Sequence, residues 1–249
     1  MVALVLEKAE AKPAQTPHGL ELLDVMDDIE YRRIVAPEDF EAVGILRQRA
    51  IDAFDIYERK FGESVIEDMD FDPMSAVFGV YFRGELAATI RIKRVTADSR
   101  DSGAIQVFDK FMHPLLDQGM EFIDPCRFAI NRDISRLVTG LPIITSRLAI
   151  VATLHYMADY CLFACKLEHT GFYRRVFRAT MLAGPYEPPG MRVRAVLLGN
   201  GTAGRDELFA RYPIFKFKST EARLLFGEQD LSSSSLCVKP TARIAQAAA

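Results

Sequence analysis

The stretch EFIDPCRFAIN, residues 121–131, holds the residues best placed to do chemistry. Phe122, Ile123, Phe128, Ala129 and Ile130 give it the character of a buried strand, yet Asp124 and Arg127 sit in its middle. Desolvating an unpaired charge is costly, so these two must pair, reach water at a cleft, or take part in a reaction. An ordinary aspartate is a weak base near neutral pH, so Asp124 as a proton acceptor needs a special environment. As structural glue it needs only Arg127 or Arg91 for a partner. The residues alone leave both readings open.

Other charges of alternating sign lie on separate segments. Arg47 and Arg49 stand in ILRQRAI, Asp70 and Asp72 in EDMDFD, and Arg91 in LAATIRI. They form either a network that orders the acidic loop over a cleft or a set of solvated side chains. Further on, HTGFYRR offers His169, Phe172 and Tyr173, with Tyr173 either a proton donor or a core residue. His155, four before Asp159, reads as a hydrogen-bonded core histidine. Cys161 and Cys165, four apart in an apolar helical pattern, share one helix face but lack the His or Cys spacing of a metal site. With Cys126 and Cys237 they read as reduced thiols of a cytoplasmic protein.

Composition bounds the rest. The chain has 249 residues, 49% hydrophobic and 26% charged, enough for a sizeable core in one large or two small domains. A net charge of −3 excludes a general nucleic-acid binder, so any basic docking site must be local. The longest apolar stretch, Leu141 to Leu167, is interrupted by Arg147, His155, Asp159 and Lys166, which makes it a core helix rather than a membrane span. The apolar run in MVALVLEKAEAKPAQ is too short for a signal peptide.

The elements that position these residues follow from periodicity and turn chemistry. Residues 1–26 read as a flexible arm, 27–227 as a single domain, and 228–249 as a flexible tail, with SSSS at 232–235 and the final AQAAA disordered. IEYRRIV (29–35) is a first strand. Pro37, Glu38 and Asp39 start a helix that runs to about Tyr57. SAVFGVYFRGELAATIRIKRV makes two strands about an Arg83-Gly84 turn. Residues 97–120 read as a loop with a short helix near Asp109–Leu116. The opening stretch is the next strand, with Pro125 marking an edge or a bulge. A long central helix from Pro142 to about Leu167 follows. HTGFYRRVFRATMLAG is either a helical turn or a strand; a rigid loop with Pro185, Pro188, Pro189 and Gly190 precedes a strand at 191–200. A last helix covers about Arg205–Tyr212. The order predicts an α+β fold: a mixed central sheet around one long helix, with helices on both faces.

This order resembles the GNAT-type acyltransferase fold, and the residues resemble one branch of it, the acyl-homoserine-lactone (autoinducer) synthases and long-chain N-acyl amino acid synthases. ILRQRAI is similar to that branch's arginine-bearing first helix. EDMDFD, with Asp70, Phe71 and Asp72, is similar to its E-x-D-x-aromatic-D loop. LAATIRI, with Arg91, is similar to its G-x-x-R strand, Ala88 replacing the glycine. DPCRF, with Asp124, Arg127 and Phe128, is similar to E-x-S-R-F. HTGFYRR resembles the H-x-x-F-Y-R-R element of the N-acyl amino acid synthases. The resemblance covers about residues 30–200 and departs at two positions: Asp124 stands for a glutamate and Cys126 for a serine.

The resemblance implies an N-acyltransferase that moves a long-chain acyl group from an acyl carrier protein thioester to the amine of an amino acid or related small amine. It implies Asp124, Arg127 and Tyr173 as catalytic residues, and Arg47, Asp70, Asp72, Arg91, Phe128 and His169 as substrate-binding. It also implies a bulged central strand whose free amides face the thioester carbonyl. The loop NRDISRLVTGLP has Arg136 and Gly140 four apart and Pro142 where the coenzyme A pyrophosphate loop of ordinary acetyltransferases needs Gly or Ala. That favours acyl-phosphopantetheine on carrier protein over acyl-CoA as donor substrate, with no bound cofactor and no metal. Arg132, Arg136 and Arg147 would then meet the acidic carrier or the phosphopantetheine phosphate. One alternative is an acyl-homoserine-lactone synthase using S-adenosylmethionine, opposed by the absence of Trp. Another is a non-catalytic GNAT-fold binding module. Membrane contact, if any, is transient.

Overall fold

The hairpin at the centre of the fold forms where its turn chemistry predicts. Arg83 and Gly84 both adopt positive φ, 51° and 83°, a turn whose twist matches the flanking strands. The computed structural model describes residues 19–53, 65–188, 193–201, 204–227 and 236–247. Its strands are β1 (Ile29–Arg33), β2 (Ser75–Phe82), β3 (Glu85–Val95), β4 (Phe122–Ile130), β5 (Tyr160–Lys166), β6 (Thr180–Tyr186), β7 (Ala195–Gly201) and β8 (Cys237–Val238). The helices are α1 (Gly19–Val25), α2 (Pro37–Asp52), α3 (Gly103–Asp117), α4 (Arg132–Leu137), α5 (Leu141–His155), α6 (Thr170–Phe177), α7 (Arg205–Arg211), α8 (Ser219–Phe226) and α9 (Ala242–Ala247).

The strands form one sheet in the order β6-β7-β5-β4-β3-β2-β1-β8. Every pairing is antiparallel except β4 with β5, whose connection through α4 and α5 is the crossover that parallel strands need. This is the mixed sheet with helices on both faces that the sequence predicts.

Strand alternation sorts the side chains onto two faces. Ala76, Phe78, Val80, Ala88, Ile90, Ile92, Ile123 and Phe128 pack with Ile144, Leu148 and Val151 of α5 in the principal core. On the opposite face Val77 meets Val43 of α2, and Ala129 meets Leu46 and Ala50 of α2. Farther along that face Val95 and Phe122 pack with Ile105, Phe108 and Met112 of α3. Between the α2 and α3 patches the face is polar: Arg91, Lys93, Asp124 and Cys126, all buried.

Several boundaries differ from the sequence expectation. The apolar run from Leu141 is two elements, because the chain turns at Met157 (φ 54°) and continues as β5. Cys161 and Cys165 therefore share a strand face, since residues four apart also coincide at period two. Helix α3 replaces the expected loop and short helix; non-helical angles at Phe108 divide it, and its second part matches the expected 109–116 segment. The ambiguous stretch at 169–184 is both alternatives in turn, α6 then β6. Helix α8 is additional. Leu22 and Leu23 of α1 and Ala242 of α9 are buried, and β8 pairs with β1, so packed elements extend into the expected arm and tail. The expected helix beyond residue 53, Pro189, Gly190 and the SSSS segment lie outside the described residues.

Candidate active site

The polar seam is built by four elements. Helix α2 carries Arg47 on its buried side, the short turn at Asp68–Asp70 carries the acidic loop, and β3 and β4 carry Arg91 and Arg127. Asp70 is its centre. Arg47 Nη1 and Nη2 donate to Asp70 Oδ2 and Oδ1 at 2.8 and 3.1 Å, a fork that only a guanidinium can make. Arg91 Nη1 donates to Asp70 Oδ1 at 3.2 Å and to Glu67 Oε2 at 3.1 Å. Arg127 Nε donates to Glu67 Oε2 at 2.9 Å. The Glu67 backbone N–H donates to Asp70 Oδ2 at 2.9 Å, which locks the loop's own turn. Four expected residues, Arg47, Asp70, Arg91 and Arg127, thus meet in one network. Glu67, first residue of the EDMDFD motif, is the member the sequence reading missed.

Arg127 sits in a bulge. The β3–β4 register pairs Arg91 with Cys126 and Thr89 with Ala129, so Arg127 and Phe128 together face Ile90 alone. Arg127 has φ 52°, left-handed for a residue with a Cβ, a strained geometry that tends to mark functional positions. The extra residue moves Phe128 to the α5 face, whereas the unbroken alternation would have put Arg127 there. Pro125 stays in register with Ile92, so the irregularity lies two residues after it. Pro125 is tolerated because β4 pairs with β5 only at Phe122 and Ile123. Beyond that point β4 has no neighbour on one side, as at a sheet edge.

Asp124 pairs with neither arginine. Its Oδ2 accepts the Ala104 amide at 2.9 Å, in the first turn of α3, the end of a helix that favours a carboxylate. Ser102 caps the same helix by accepting from the Ile105 amide. Lys93, another buried charge absent from the sequence expectation, lies 2.7 Å from Asp72. Partial burial pushes the Asp72 carboxyl up, but Lys93 and the Met74 amide outweigh it and hold the group below its usual range. Cys126 lies beside this seam. Burial raises its thiol, with Asp124 reinforcing and Arg91 opposing, and Arg91 Nε donates to Sγ at 3.3 Å.

The remaining expected residues lie elsewhere. Phe128 is core on the α5 side. Tyr173 of α6 stands on that side too, ringed by Phe163, Phe172 and Phe177, and burial lifts its phenol well above the usual value. His169 is half-buried at the start of α6. Arg132 and Arg136 are exposed on α4 and, with Arg49, Leu46, Ile130 and Asp133, line a cavity of ≈ 240 Å³. Arg147 is a correction. It is wholly buried in α5, where it forks onto Glu221 of α8 and donates to the Ile214 and Lys216 carbonyls, so it braces the C-terminal helices and cannot touch a docking protein. Periodicity missed this because its partner lies in a helix the sequence reading did not find.

Where β4 leaves β5, a gap opens in the sheet. It begins after Ile123 and Cys161, with the bulge on one bank and Ala164 and Cys165 on the other. The seam lies on one face of this gap and Tyr173 on the other. Among the described residues no His, Cys, Asp and Glu cluster could hold a metal, and no helix is long and apolar enough to cross a membrane.

The family model of the N-acyl amino acid synthase FeeM matches residues 42–200. No curated protein sequence matches. Among solved structures the chain is similar to FeeM, an N-acyl amino acid synthase from uncultured soil microbes, at 16% identity and TM-score 0.58, over 73% of this chain and 94% of that one. It is also similar to a CoA-dependent acyl-homoserine lactone synthase, BjaI, with SAM and isopentyl-CoA, at 13% identity and TM-score 0.48, over 74% and 89%. A third likeness is to an acyl-CoA N-acyltransferase from Pseudomonas aeruginosa, at 10% identity and TM-score 0.42, over 70% and 99%. The fold is GNAT-like. Because the family match runs from α2 through β7, well over half of the chain, and takes in the whole charged network, this chain belongs to the FeeM N-acyl amino acid synthase family and is an acyltransferase that acts on an amine.

Proposed function

We propose that the protein transfers a long-chain acyl group from the phosphopantetheine thioester of acyl carrier protein to the amine of an amino acid. The observation that carries this reading is the gap after Ile123, with the Arg127 bulge beside it. A linear thioester entering the gap touches both sheet faces at once. The bulge leaves backbone groups of residues 127–128 outside the ladder, where an amide can bind the oxyanion that forms on the thioester carbonyl. Holding amine and thioester together supplies much of the rate.

Asp124 keeps one oxygen clear of the Ala104 amide and takes the amine's proton, directly or through a water. The nitrogen attacks the carbonyl carbon, the C–N bond forms and the C–S bond breaks. Tyr173, held protonated by burial, gives its proton to the departing thiolate. Arg47, Asp70, Arg91, Glu67 and Arg127 fix the loop and the bulge, while Asp72, Phe128 and His169 border the substrate space. Arg132, Arg136 and the exposed Leu137 present a basic, partly apolar rim suited to an acidic carrier.

The test is purified protein with acyl carrier protein charged with a long chain and a panel of amino acids, read by mass spectrometry. N-acyl amino acids are the expected product. Arg132→Glu with Arg136→Glu should raise KM for the charged carrier at least tenfold and leave a free acyl-pantetheine donor unaffected. Acyl lactones from S-adenosylmethionine as product, or transfer from acyl-CoA alone, would overturn the reading.

A further inference from the structure

A row of three buried polar side chains crosses the seam outside the arginine network. Ser75 of β2 is the register partner of Lys93 of β3, and Lys93 is that of Asp124 of β4. All three project to the α2/α3 face, since their neighbours Ala76, Ile92 and Ile123 belong to the opposite core. Ser75 is 6% exposed, Lys93 and Asp124 0%. Ser75 Oγ and Asp124 Oδ1 have no hydrogen-bond partner, and Lys93 Nζ is engaged by the Asp72 carboxylate of the acidic loop rather than by either neighbour in the row. Native interiors leave few unpartnered atoms, and two flanking one lysine call for an explanation.

The charges do not answer one another. Lys93 and Asp124 stand opposite on adjacent strands, yet Lys93 Nζ is drawn off-axis to the half-exposed Asp72, and Asp124 is tied through Oδ2 to Ala104. What remains is an anionic acceptor next to a cationic donor and a hydroxyl, at the spacing of adjacent strands. Arg91 Nη2 is a further unpartnered donor on the same face. A ligand complementary to this row carries an ammonium and a carboxylate one carbon apart.

We propose that Lys93 and Ser75 bind the carboxylate of the acceptor amino acid while Asp124 Oδ1 receives its ammonium, Asp72 holding Lys93 until the acceptor takes its place. This rests on the proposed transfer to an amino acid and assigns two residues, Ser75 and Lys93, to acceptor selection. A singly charged amine meets only Asp124 and leaves Lys93 with Asp72, so the row selects amino acids over their decarboxylated counterparts.

Steady-state kinetics with a saturating acyl-thioester donor test this with two acceptors, an accepted amino acid and the amine lacking its carboxylate. Lys93→Met keeps the volume and removes the charge. It should raise KM for the amino acid roughly 10- to 100-fold, as loss of a charge-assisted hydrogen bond does, with kcat within about threefold. KM for the decarboxylated amine should hold or fall. Ser75→Ala, a smaller change that threatens folding less, should move the same KM several-fold in the same direction, with melting curves confirming both variants are folded. Equal shifts for the two acceptors in both variants overturn the assignment and leave the proposed function standing. A wild-type protein that acylates the decarboxylated amine but no amino acid overturns both.

Discussion

Asp70→Asn should cost the fold far more than a single polar exchange suggests. The Asp70 side chain is fully buried and accepts four hydrogen bonds, two from Arg47, one from Arg91 and one from the Glu67 amide. An asparagine offers one acceptor oxygen and turns an NH2 toward donors. Arg47, itself 2% exposed, then keeps one bond to the remaining oxygen and one to the Val65 carbonyl, at 3.1 Å, but loses its carboxylate charge, while Arg91 retains Glu67. Removing one partner from a buried ion pair costs about 3–5 kcal/mol, because the other charge is left stranded. For a chain of this size that lowers the melting temperature by about 6–20 °C, at roughly 2–4 °C per kcal/mol. Glu67→Gln is the internal control. Its side chain is 30% exposed, so water can serve Arg91 and Arg127, and the expected loss is about 1 kcal/mol or less. Replacing the pair together, Arg47→Met with Asp70→Leu, removes both charges and should recover more than half of the lost stability without restoring acyl transfer. Scanning calorimetry of the three variants decides it. An Asp70→Asn protein melting within about 2 °C of wild type would refute the claim that this carboxylate holds the seam together.

Three further outcomes follow from the same geometry. Asp124→Asn can still accept the Ala104 amide through its oxygen, so the melting temperature should hold while turnover falls about 100-fold or more; full activity would end its role as the base. Tyr173→Phe should slow turnover about 100-fold with an alkyl thioester and much less with an aryl thioester, whose leaving thiolate needs no proton; equal slowing of both would place Tyr173 in packing alone. Burial pushes the Cys161 and Cys165 thiols up to about 12, whereas unfolded thiols release their protons near 9. Their contribution to stability is whole below about pH 9 and is lost as pH rises toward 12, by about 1.4 kcal/mol per thiol at pH 10. Denaturant titrations should therefore show a steeper alkaline decline for wild type than for Cys161→Ala with Cys165→Ala, and parallel slopes would refute it.

What was legible in the sequence is what local chemistry controls. Arg83-Gly84 names a turn whatever packs around it, and Pro37 with two acids names a helix start. The break between α5 and β5 was invisible because no glycine or proline punctuates it; Met157 adopts the left-handed turn without one. Of helix α3 only the part after Phe108 shows in the sequence, because the non-helical angles at Phe108 break the helical period between Gly103 and the 109–116 segment. In the site, the resemblance grouped Arg47, Asp70, Arg91 and Arg127, since like segments meet in like folds. Glu67 escaped because four acids in six residues give no sign of which one turns inward. Lys93 did leave a signal. The alternation Ile90-Arg91-Ile92-Lys93 puts both cations on one face, and a lysine beside a buried arginine is itself buried.

The two departures from the family pattern, Asp124 and Cys126, have local compensations. An aspartate reaches one methylene less far from its strand than a glutamate, and here the start of α3 comes to meet it, with Ser102 capping the helix and the Ala104 amide on Oδ2. One oxygen is thereby fixed and the other left bare, a division a freely rotating glutamate would not enforce. Cys126 is a weaker acceptor than serine, but it lies directly across from Arg91 in register and takes the Nε–H, which frees Nη1 to bridge Asp70 and Glu67. The seam is thus held from three sides, by α2 through Arg47, by the acidic loop through Asp70 and Glu67, and by α3 through Asp124. The apolar patches beneath α2 and α3 keep water from both flanks, so the charges between them attract more strongly than the same pairs would at an open surface.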